Sequence, residues 1–309
     1  MIEKVPLGRT GLKLSRVGFG TSAIGGLYTA MTDEAAAKTL GAAWTEGTRY
    51  FDTAPHYGAG LAEQRLGSFL AGKSDFVVST KVGRLLRPGP TVDGDEGFYG
   101  APPMVRVRDY SADGVYRSLA ESLDRTGLDS FDILLIHDPD DYWEQAVGEA
   151  YPALARLRAE GAVKAIGVGM NQSAMLARFV AETDVDCVLI AGRYTLLDRD
   201  AELQLLPLCV ERGVGVIVGG VYNSGILARP DSNATFDYAP APPAVQRRVT
   251  ELAATCAAYG VPLATAALRF PLRHKAVTSV LVGARTPAEI AENSAALAMD
   301  IPEELWAQL

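Results

Sequence analysis

The sequence predicts an α/β fold in which eight parallel strands, each followed by a helix, close into a (β/α)8 barrel. Short apolar runs alternate with longer helical patterns along the chain, and eight such pairs follow one another. Many of the strand runs are apolar on both faces, as expected for a parallel sheet covered by helices. Barrels of about this length often form one domain, so we expect a single domain over residues 1–309.

An N-terminal β-hairpin is predicted first, because KVPLGRTGLKLS has apolar alternation around a Gly-Arg-Thr-Gly turn. The predicted barrel strands are 16–20, 50–52, 76–81, 131–137, 164–169, 187–191, 214–219 and 278–283. The predicted helices are 32–46, 61–71, 111–126, 142–160, 173–183, 199–212, 243–259 and 286–298, with an additional helix near 262–271. Thr32, Ser111 and Thr286 supply helix-start signals, and Thr286 is followed by Pro287 and Glu289 as in a capping box.

A doubly wound open sheet is the alternative fold. Its dinucleotide-binding signature is GxGxxG directly after the first strand, and the segment GFGTSAIGG does not have that spacing. The barrel is therefore favoured. Two long segments, 84–110 and 220–241, follow the third and seventh strands, so they are expected on the C-terminal face, where barrels bind substrates.

Composition excludes several classes of function. The net charge is −8 with no basic block, which argues against nucleic-acid binding. No apolar run is long enough to span a membrane, and the N-terminus lacks a secretory signal. Cys187, Cys209 and Cys256 are odd in number and have no CxxC spacing, so we expect them to pack as small apolar residues. These features predict a cytoplasmic protein with a small-molecule partner.

Polar side chains stand at the ends of three consecutive predicted strands. Asp52, Lys81 and His137 end the second, third and fourth strands, and Tyr57 lies five residues after Asp52. The C-terminal ends of parallel barrel strands open at one mouth, so these four side chains are expected to converge. Singly, each has an ordinary explanation as a loop cap, a packing residue, a solvated charge or a satisfied core histidine.

Convergence would give these groups a chemical role. A phenol of pKa near 10 is a poor proton-transfer catalyst, but an ammonium ~4 Å away favours the phenolate by up to ~3 pK units. We therefore expect Lys81 to bring the pKa of Tyr57 nearer neutrality. Asp52 is expected to position Lys81, and a neutral His137 to orient the reacting oxygen. Such a site suits proton transfer at an alcohol or carbonyl, coupled to hydride transfer by a cofactor.

Several segments resemble motifs of the aldo-keto reductase family in their expected order. They are FDTAPHYGAGLAEQRLG, VVSTKVG, DILLIHDP, IGVGMNQ and VLVGARTPAEIAEN, and the resemblance runs from about residue 5 to residue 298. It implies a barrel that binds NAD or NADP without a Rossmann domain. It also implies that Asp52, Tyr57, Lys81 and His137 are the catalytic tetrad.

The resemblance also implies cofactor contacts. The positions matched are Thr21, Ser22, Asp52, Asn171, Tyr222, Gly283, Arg285, Thr286, Glu292 and Asn293. The family's glutamine after strand six is replaced within IAGRY, and its aromatic residue after strand seven is replaced by Gly219, with Tyr222 as a substitute. Arg285 could receive a 2′-phosphate. Glu289, however, stands where NADP-preferring relatives often carry a basic residue. Because a carboxylate there would repel a 2′-phosphate, NAD is favoured over NADP.

In detail, the chain is most similar to the branch of the family that contains D-threo-aldose 1-dehydrogenases, L-fucose dehydrogenases and pyridoxal 4-dehydrogenases. That implies oxidation of a cyclic hemiacetal of the L-fucose, D-arabinose or L-galactose type to a lactone, with pyridoxal oxidation or general aldehyde and ketone reduction as alternatives. The candidate substrate contacts are His56, Arg84, Arg87, Tyr99, Arg193, Tyr222 and Asn223.

Two further functional classes are considered. Metal-dependent hydrolysis on a barrel needs clustered histidine ligands, and the three histidines, His56, His137 and His274, do not supply them, so no metal site is expected. A non-catalytic barrel that only senses the cofactor is the other alternative. The presence of all four candidate catalytic groups argues against it.

Overall fold

The computed structural model describes residues 2–231, 234–237 and 239–309, and its centre is a closed parallel barrel of eight strands. The strands are β1 Val17–Gly20, β2 Tyr50–Asp52, β3 Val77–Val82, β4 Ile133–His137, β5 Ala165–Met170, β6 Cys187–Ala191, β7 Gly215–Gly219 and β8 Val277–Val282. Each strand pairs with the next in the chain, and β8 pairs with β1. The predicted (β/α)8 fold is confirmed.

Helices lie between the strands, as predicted. They are α1 Asp33–Thr45, α2 Leu61–Leu70, α3 Ala112–Thr126, α4 Tyr151–Ala159, α5 Ser173–Glu182, α6 Leu205–Arg212, α7 Pro243–Ala258 and α8 Pro287–Ala298, with shorter helices at Leu263–Arg269 and Glu303–Trp306. The predicted helix starts at Thr32, Ser111 and Thr286 are confirmed, since each side chain accepts a hydrogen bond from the backbone N–H three residues later.

Two predicted helices are wrong in part. The helix predicted over 199–212 begins only at Leu205, after a short 3₁₀ turn at Asp200–Glu202, because Pro207 can be accommodated in the first turn of a helix but not in its interior. The helix predicted over 142–160 contains a π-helical segment, Ala146–Ala150. Pro152 lies two residues after its end, and proline has no N–H for the regular i→i−4 bond.

Strand periodicity determines which side chains enter the barrel. Alternate residues of a strand face the same side, and the inner core contains Tyr50 of β2, Ile133 and Leu135 of β4, and Leu189 of β6. Leu134 and Ile136 of β4 belong instead to the layer between the strands and helices. Polar residues in register with the inner set therefore face the barrel interior.

The N-terminal hairpin closes the bottom of the barrel. Strands Lys4–Pro6 and Lys13–Ser15 pair antiparallel, and Leu7 of the connecting turn packs in the inner core. Gly8 has φ +49°, and a Cβ there would lie 2.6 Å from the Gly213 carbonyl oxygen, so only glycine allows this close approach to the start of β7. The predicted hairpin is confirmed.

Both long segments follow C-terminal strand ends, as predicted. In the first, Arg84–Pro88 and Met104–Arg108 form an antiparallel hairpin. The far end of this segment is tied to the loop after β1, because the Tyr28 N–H donates to the Gly97 carbonyl at 2.8 Å and the Tyr99 N–H donates to the Gly26 carbonyl at 3.0 Å. In the second, Thr235–Phe236 pairs with Ala239–Pro240.

The three cysteines are buried and unpaired, as predicted. In the described part of the chain, no individual helix has the length and apolar character to cross a membrane. The bent pair Pro243–Ala258 and Leu263–Arg273 meets those two criteria only when taken together.

Candidate active site

Strand ends bring the polar side chains to one mouth. Asp52 is the last residue of β2, His137 is the last residue of β4, and Lys81 is the next-to-last residue of β3. Asp52 stands in register with Ser79, and Lys81 with Leu135, so both belong to the inward-facing set. All three side chains are almost fully buried.

Tyr57 is positioned by a tight turn after β2. Its N–H donates to the Ala54 carbonyl at 3.1 Å, and its own carbonyl accepts from the N–H of Ala62 in α2. Gly58, with φ +60°, allows the turn to touch the loop after β1, since a Cβ there would lie 2.1 Å from the Gly25 carbonyl oxygen. The turn thereby directs the phenol toward Lys81.

A buried ion pair is the electrostatic centre of the mouth. Lys81 Nζ donates to Asp52 Oδ2 at 2.5 Å and to the Thr53 carbonyl at 2.9 Å, while Ser79 Oγ donates to Asp52 Oδ1 at 2.7 Å. Burial alone would lower the pKa of Lys81, but the Asp52 carboxylate and the Tyr57 hydroxyl raise it. Lys81 therefore stays an ammonium, fixed by groups that surround it on several sides.

Lys81 also lies beside the phenol. Its Nζ is 4.6 Å from the centroid of the Tyr57 ring. The expectation that this ammonium brings the Tyr57 pKa toward neutrality is wrong for the protein alone. Burial raises the pKa, Lys81 opposes it, and the Asp52 carboxylate adds to the rise, so the pKa of Tyr57 is raised from its usual value. Tyr57 is a protonated donor at neutral pH.

His137 lies edge-on to Tyr57, with ring centroids 5.9 Å apart and planes at 87°. Burial lowers its pKa well below the usual value, and the nearby Arg84 and Lys81 cations lower it further. The imidazole is therefore neutral, as predicted. Its Nδ1 atom is buried with no hydrogen-bond partner in the described residues, and its Nε2 atom lies 3.4 Å from Asp138 Oδ2.

Two predicted substrate contacts, His56 and Arg84, join a charged network next to the tetrad. Arg84 donates to Asp138 Oδ2 at 2.5 Å, and its Nη1 lies 3.1 Å from His56 Nδ1. His56 also contacts Glu96 at 3.0 Å, in the long segment after β3. Burial lowers the pKa of His56 to about 4, so this imidazole is also neutral near pH 7.

Three other residues predicted to bind substrate make no hydrogen bond, ion pair or ring contact with Asp52, Tyr57, Lys81 or His137 in the described part of the chain. Tyr99 is partly exposed on the segment after β3. Arg193, after β6, forms ion pairs with Asp237 at 2.8 Å and Asp198 at 3.6 Å. Arg87 is paired with Glu121 of α3 at 2.9 Å.

Asparagine amides and glycines form the side of the mouth at the ends of β5, β6 and β7. Asn171 donates to the Ala191 carbonyl at 2.8 Å, and Asn223 donates to the Gly192 carbonyl at 3.2 Å. Gly192, Gly219 and Gly220 follow or end the neighbouring strands and present no side chain. The buried Asn223 Oδ1 has no hydrogen-bond partner among the described residues, and neither has the buried Oγ1 of Thr21, which follows β1. A flat, polar ring with a carboxamide fits this combination.

The segment after β8 holds the remaining predicted cofactor residues. Gly283 and Thr286 are exposed at the start of α8, whose free N–H groups favour an anionic ligand. Glu289 caps this end by accepting from the Arg285 N–H at 2.8 Å. Along the helix, Glu292 is exposed and Asn293 accepts a hydrogen bond from the Tyr222 hydroxyl at 2.7 Å.

Arg285 has a different environment from the one a phosphate contact requires. Its guanidinium donates to four backbone carbonyls in the loop after β1, those of Ala23, Leu27, Thr29 and Ala30, at 2.9 to 3.5 Å. In this arrangement the side chain fastens that loop to the start of α8. A 2′-phosphate would have to displace some of these carbonyls. Ser22, in the same loop, is half-buried and begins a 3₁₀ turn.

Several residues of the site were missed by sequence reasoning. Asp138 directly follows His137, so its position at a strand end was a usable signal. Ser79 stands two residues before Lys81 and shares its face, which strand periodicity also indicates. Tyr110, whose hydroxyl donates to the carbonyls of His137 and Asp138, and Phe98, which stacks on Tyr57 with centroids 6.2 Å apart, come from a long loop with no comparable signal.

A model of the aldo/keto reductase family matches residues 16–309. D-threo-aldose 1-dehydrogenase of a Pseudomonas species is 44% identical over 97% of this chain and 94% of its own, and pyridoxal 4-dehydrogenase of Microbacterium luteolum is 42% identical over 99% and 96%. An aldo-keto reductase of Bacillus halodurans has a similar structure, with a TM-score of 0.78, 25% identity, and coverage of 99% of this chain and 94% of that one. The chain belongs to the aldo/keto reductase family of nicotinamide-dependent oxidoreductases.

Proposed function

We propose that this enzyme oxidises the C1 hydroxyl of a cyclic aldose to the lactone, using NAD or NADP, with Asp52, Tyr57, Lys81 and His137 as its catalytic residues. The observation that carries the proposal is the Lys81 ammonium, held by Asp52 at 2.5 Å and lying 4.6 Å from the Tyr57 ring centroid. The 44% identity to a D-threo-aldose 1-dehydrogenase over nearly the whole chain supports the choice of substrate class.

Each of the four residues has a task in this proposal. Tyr57 exchanges a proton with the reacting oxygen, giving it up when a carbonyl is reduced and accepting it when a hydroxyl is oxidised. Lys81 stabilises the phenolate that forms in either direction, and Asp52 holds Lys81 in place. The neutral His137 donates its single N–H to the reacting oxygen and so fixes the orientation of the substrate.

The cofactor is assigned to the other side of the mouth. When bound, the nicotinamide ring supplies the hydride acceptor or donor. We propose that Thr21, Ser22 and Asn171 hold the nicotinamide end, and that the start of α8 with Thr286 holds the phosphates and adenosine. Tyr222 and Asn293, joined at 2.7 Å, would lie across the cofactor between the loop after β7 and α8. Glu289 favours NAD over NADP, because a carboxylate repels a 2′-phosphate.

Pyridoxal is the second candidate substrate. The pyridoxal 4-dehydrogenase relative is almost as similar as the aldose relative, at 42% identity over 99% of this chain. Oxidation of a cyclic hemiacetal needs the same proton and hydride transfers for either substrate, so the tetrad does not discriminate between them. The partner in both cases is a small molecule, and we propose that the enzyme works in the cytoplasm as a single barrel domain.

A substrate panel tests the proposal. The purified protein is given L-fucose, D-arabinose, L-galactose or pyridoxal with NAD+ or NADP+, and the absorbance of the reduced cofactor is followed while the lactone is identified by NMR. We expect turnover with at least one aldose and more with NAD+ than with NADP+. Turnover of pyridoxal alone would favour the second candidate, and reduction of simple aldehydes without any oxidation would favour a general reductase. Quenching of NAD(P)H fluorescence with no turnover at all would indicate a cofactor-sensing module.

A further inference from the structure

We propose that Asp138 determines substrate specificity, by accepting a hydrogen bond from the hydroxyl next to the reacting carbon and by repelling substrates that carry a carboxylate there. The inference rests on the proposed function, which it deepens. It depends on the position of Asp138 between His137 and Arg84.

The backbone at Asp138 is held from several sides. Tyr110 donates its hydroxyl to the carbonyls of His137 and Asp138 at 2.6 and 2.7 Å, and the Asp138 N–H donates to the Gly169 carbonyl at 3.0 Å. Asp138 has φ +43°, in the left-handed region that few residues other than glycine, asparagine and aspartate adopt. Backbone strain of this kind persists only where neighbours impose it, and it is concentrated at functional sites.

Among the described residues, one oxygen of the Asp138 carboxylate is already hydrogen-bonded, and the other is not. Oδ2 accepts from Arg84 at 2.5 Å and lies 3.4 Å from His137 Nε2. Within the described residues Oδ1 makes no hydrogen bond, although an ionised carboxylate has about four acceptor sites. The side chain is about a quarter exposed and therefore accessible. Burial raises the pKa of Asp138 and the ion pair with Arg84 opposes that rise, so Asp138 keeps a paired carboxylate with one unused acceptor oxygen.

The 3.4 Å between His137 Nε2 and Asp138 Oδ2 places the Asp138 carboxylate next to the proposed site of reaction. His137 is the proposed donor to the reacting oxygen, and Asp138 lies about one hydrogen bond from the same imidazole. Vicinal oxygens of a sugar are separated by about the length of a hydrogen bond, so a hydroxyl on the neighbouring carbon can reach the carboxylate while the reacting oxygen meets His137. A carboxylate on that carbon would instead face a like charge.

Arg84 explains why the acceptor is fixed. Its guanidinium is almost buried and is also near Glu96 at 3.6 Å, so it holds Asp138 and cannot swing freely toward a substrate anion. In an Asp138→Asn variant the side-chain amide keeps the size and tolerates the left-handed backbone, while the negative charge is lost. Arg84 would then be short of one anionic partner.

Reduction of three small aldehydes and oxidation of two sugars test the inference. Lactaldehyde and propanal differ only in the hydroxyl next to the carbonyl, glyoxylate carries a carboxylate there, and D-arabinose and 2-deoxy-D-ribose differ only in the C2 hydroxyl. We expect Asp138→Asn to lower the kcat/KM ratio of lactaldehyde to propanal, and of D-arabinose to 2-deoxy-D-ribose, by about tenfold or more. The ratio of glyoxylate to propanal should rise.

Ratios of kcat/KM between substrates distinguish a role of Asp138 in specificity from a purely structural role. If Asp138 only positions His137 or Arg84, all substrates lose activity together and the ratios stay constant, which overturns the inference. Asp141→Asn removes the same charge from an exposed position three residues later, and it should leave the ratios unchanged. Asp138→Gly, which also accepts the left-handed backbone, replaces the asparagine variant if that one unfolds. A wild-type enzyme that reduces the aldehydes but oxidises no sugar contradicts the proposed function, while the aldehyde ratios still decide the role of Asp138.

Discussion

The two sides of the barrel mouth are built differently. The side formed by the ends of β2, β3 and β4 is dense with buried, mutually paired groups, as in the chain of contacts from Ser79 through Asp52 to Lys81. The side formed by the ends of β5, β6 and β7 has glycines and two asparagine amides instead, and Asn223 there keeps an unpartnered buried oxygen. The groups of the first side are tied to one another by an ion pair and hydrogen bonds, although His137 Nδ1 and Thr53 Oγ1 lack partners there among the described residues, whereas the second side has few side chains.

This difference separates the expected effects of substitutions. Where side chains satisfy one another, removing one leaves an unpaired charge and affects both folding and chemistry. Where a polar group has no partner within the protein and is proposed to bind the ligand, its removal should weaken ligand binding and change folding stability and chemistry little. Variants on the proton-transfer side should therefore change turnover, and variants on the cofactor side should change cofactor affinity.

The largest expected effect is that of Tyr57→Phe. The variant keeps the ring that stacks on Phe98 but removes the hydroxyl, so turnover should fall by about 10²- to 10⁴-fold, the usual contribution of a positioned acid–base group. The dissociation constant for NAD(P)H, measured by fluorescence titration, should stay within about twofold. Undiminished turnover would remove Tyr57 from the mechanism and with it the assigned division of the mouth.

Lys81→Met should destabilise the protein as well as inactivate it. The substitution leaves the Asp52 carboxylate buried without its cation, which typically costs about 3–5 kcal/mol. Urea denaturation measures the loss. The double variant Lys81→Met with Asp52→Leu should recover much of the stability and none of the activity, because the charge is gone but the phenolate is still unsupported. If Lys81→Met alone were as stable as the wild type, the Asp52 carboxylate would not depend on Lys81 for its stability in the folded protein.

How far the sequence predicted the structure depends on whether a residue stands on a strand or in a loop. The barrel and the convergence of Asp52, Lys81 and His137 were predictable, because strand periodicity and parallel topology together fix where a strand-end side chain points. The direction of the Tyr57 pKa was not, since it depends on how burial compares with the Lys81 charge, and burial is a property of the folded mouth. Phe98 and Tyr110 were also missed, because a long loop has no periodicity from which to infer its contacts.

The raised pKa of Tyr57 predicts opposite pH dependence for the two reaction directions. Oxidation needs the deprotonated oxygen, so below the pKa its rate should rise with pH, by up to about tenfold per unit. Reduction needs the protonated phenol and should be level near neutrality and fall only in the alkaline range. Initial rates in both directions at saturating cofactor between pH 6 and pH 10 provide the measurement. Parallel profiles would show that another group carries the proton.

On the cofactor side, Asn171→Ala should weaken cofactor binding about tenfold, the equivalent of about one hydrogen bond of ~1.4 kcal/mol, and change kcat little. Asn171 is half-buried and its amide is held by the Ala191 carbonyl, so loss of the side chain leaves no buried charge. Titration with NADH by fluorescence gives the affinity, and thermal unfolding checks stability. A large loss of kcat at unchanged affinity would move Asn171 to the proton-transfer side.

The smallest expected effect is a change of cofactor preference in Glu289→Gln. The glutamine side-chain oxygen can still accept from the Arg285 N–H, so the start of α8 keeps its cap while the negative charge disappears. The ratio of kcat/KM for NADP to that for NAD should rise by about three- to tenfold at low salt, because one partly exposed charge contributes roughly 1 kcal/mol or less, and the rise should shrink as salt screens it. Because glutamine has nearly the same shape as glutamate, this variant tests the effect of the charge without changing the geometry of the helix start. An unchanged ratio would mean that the carboxylate serves the cap alone, and that the preference is determined by other residues around the adenosine.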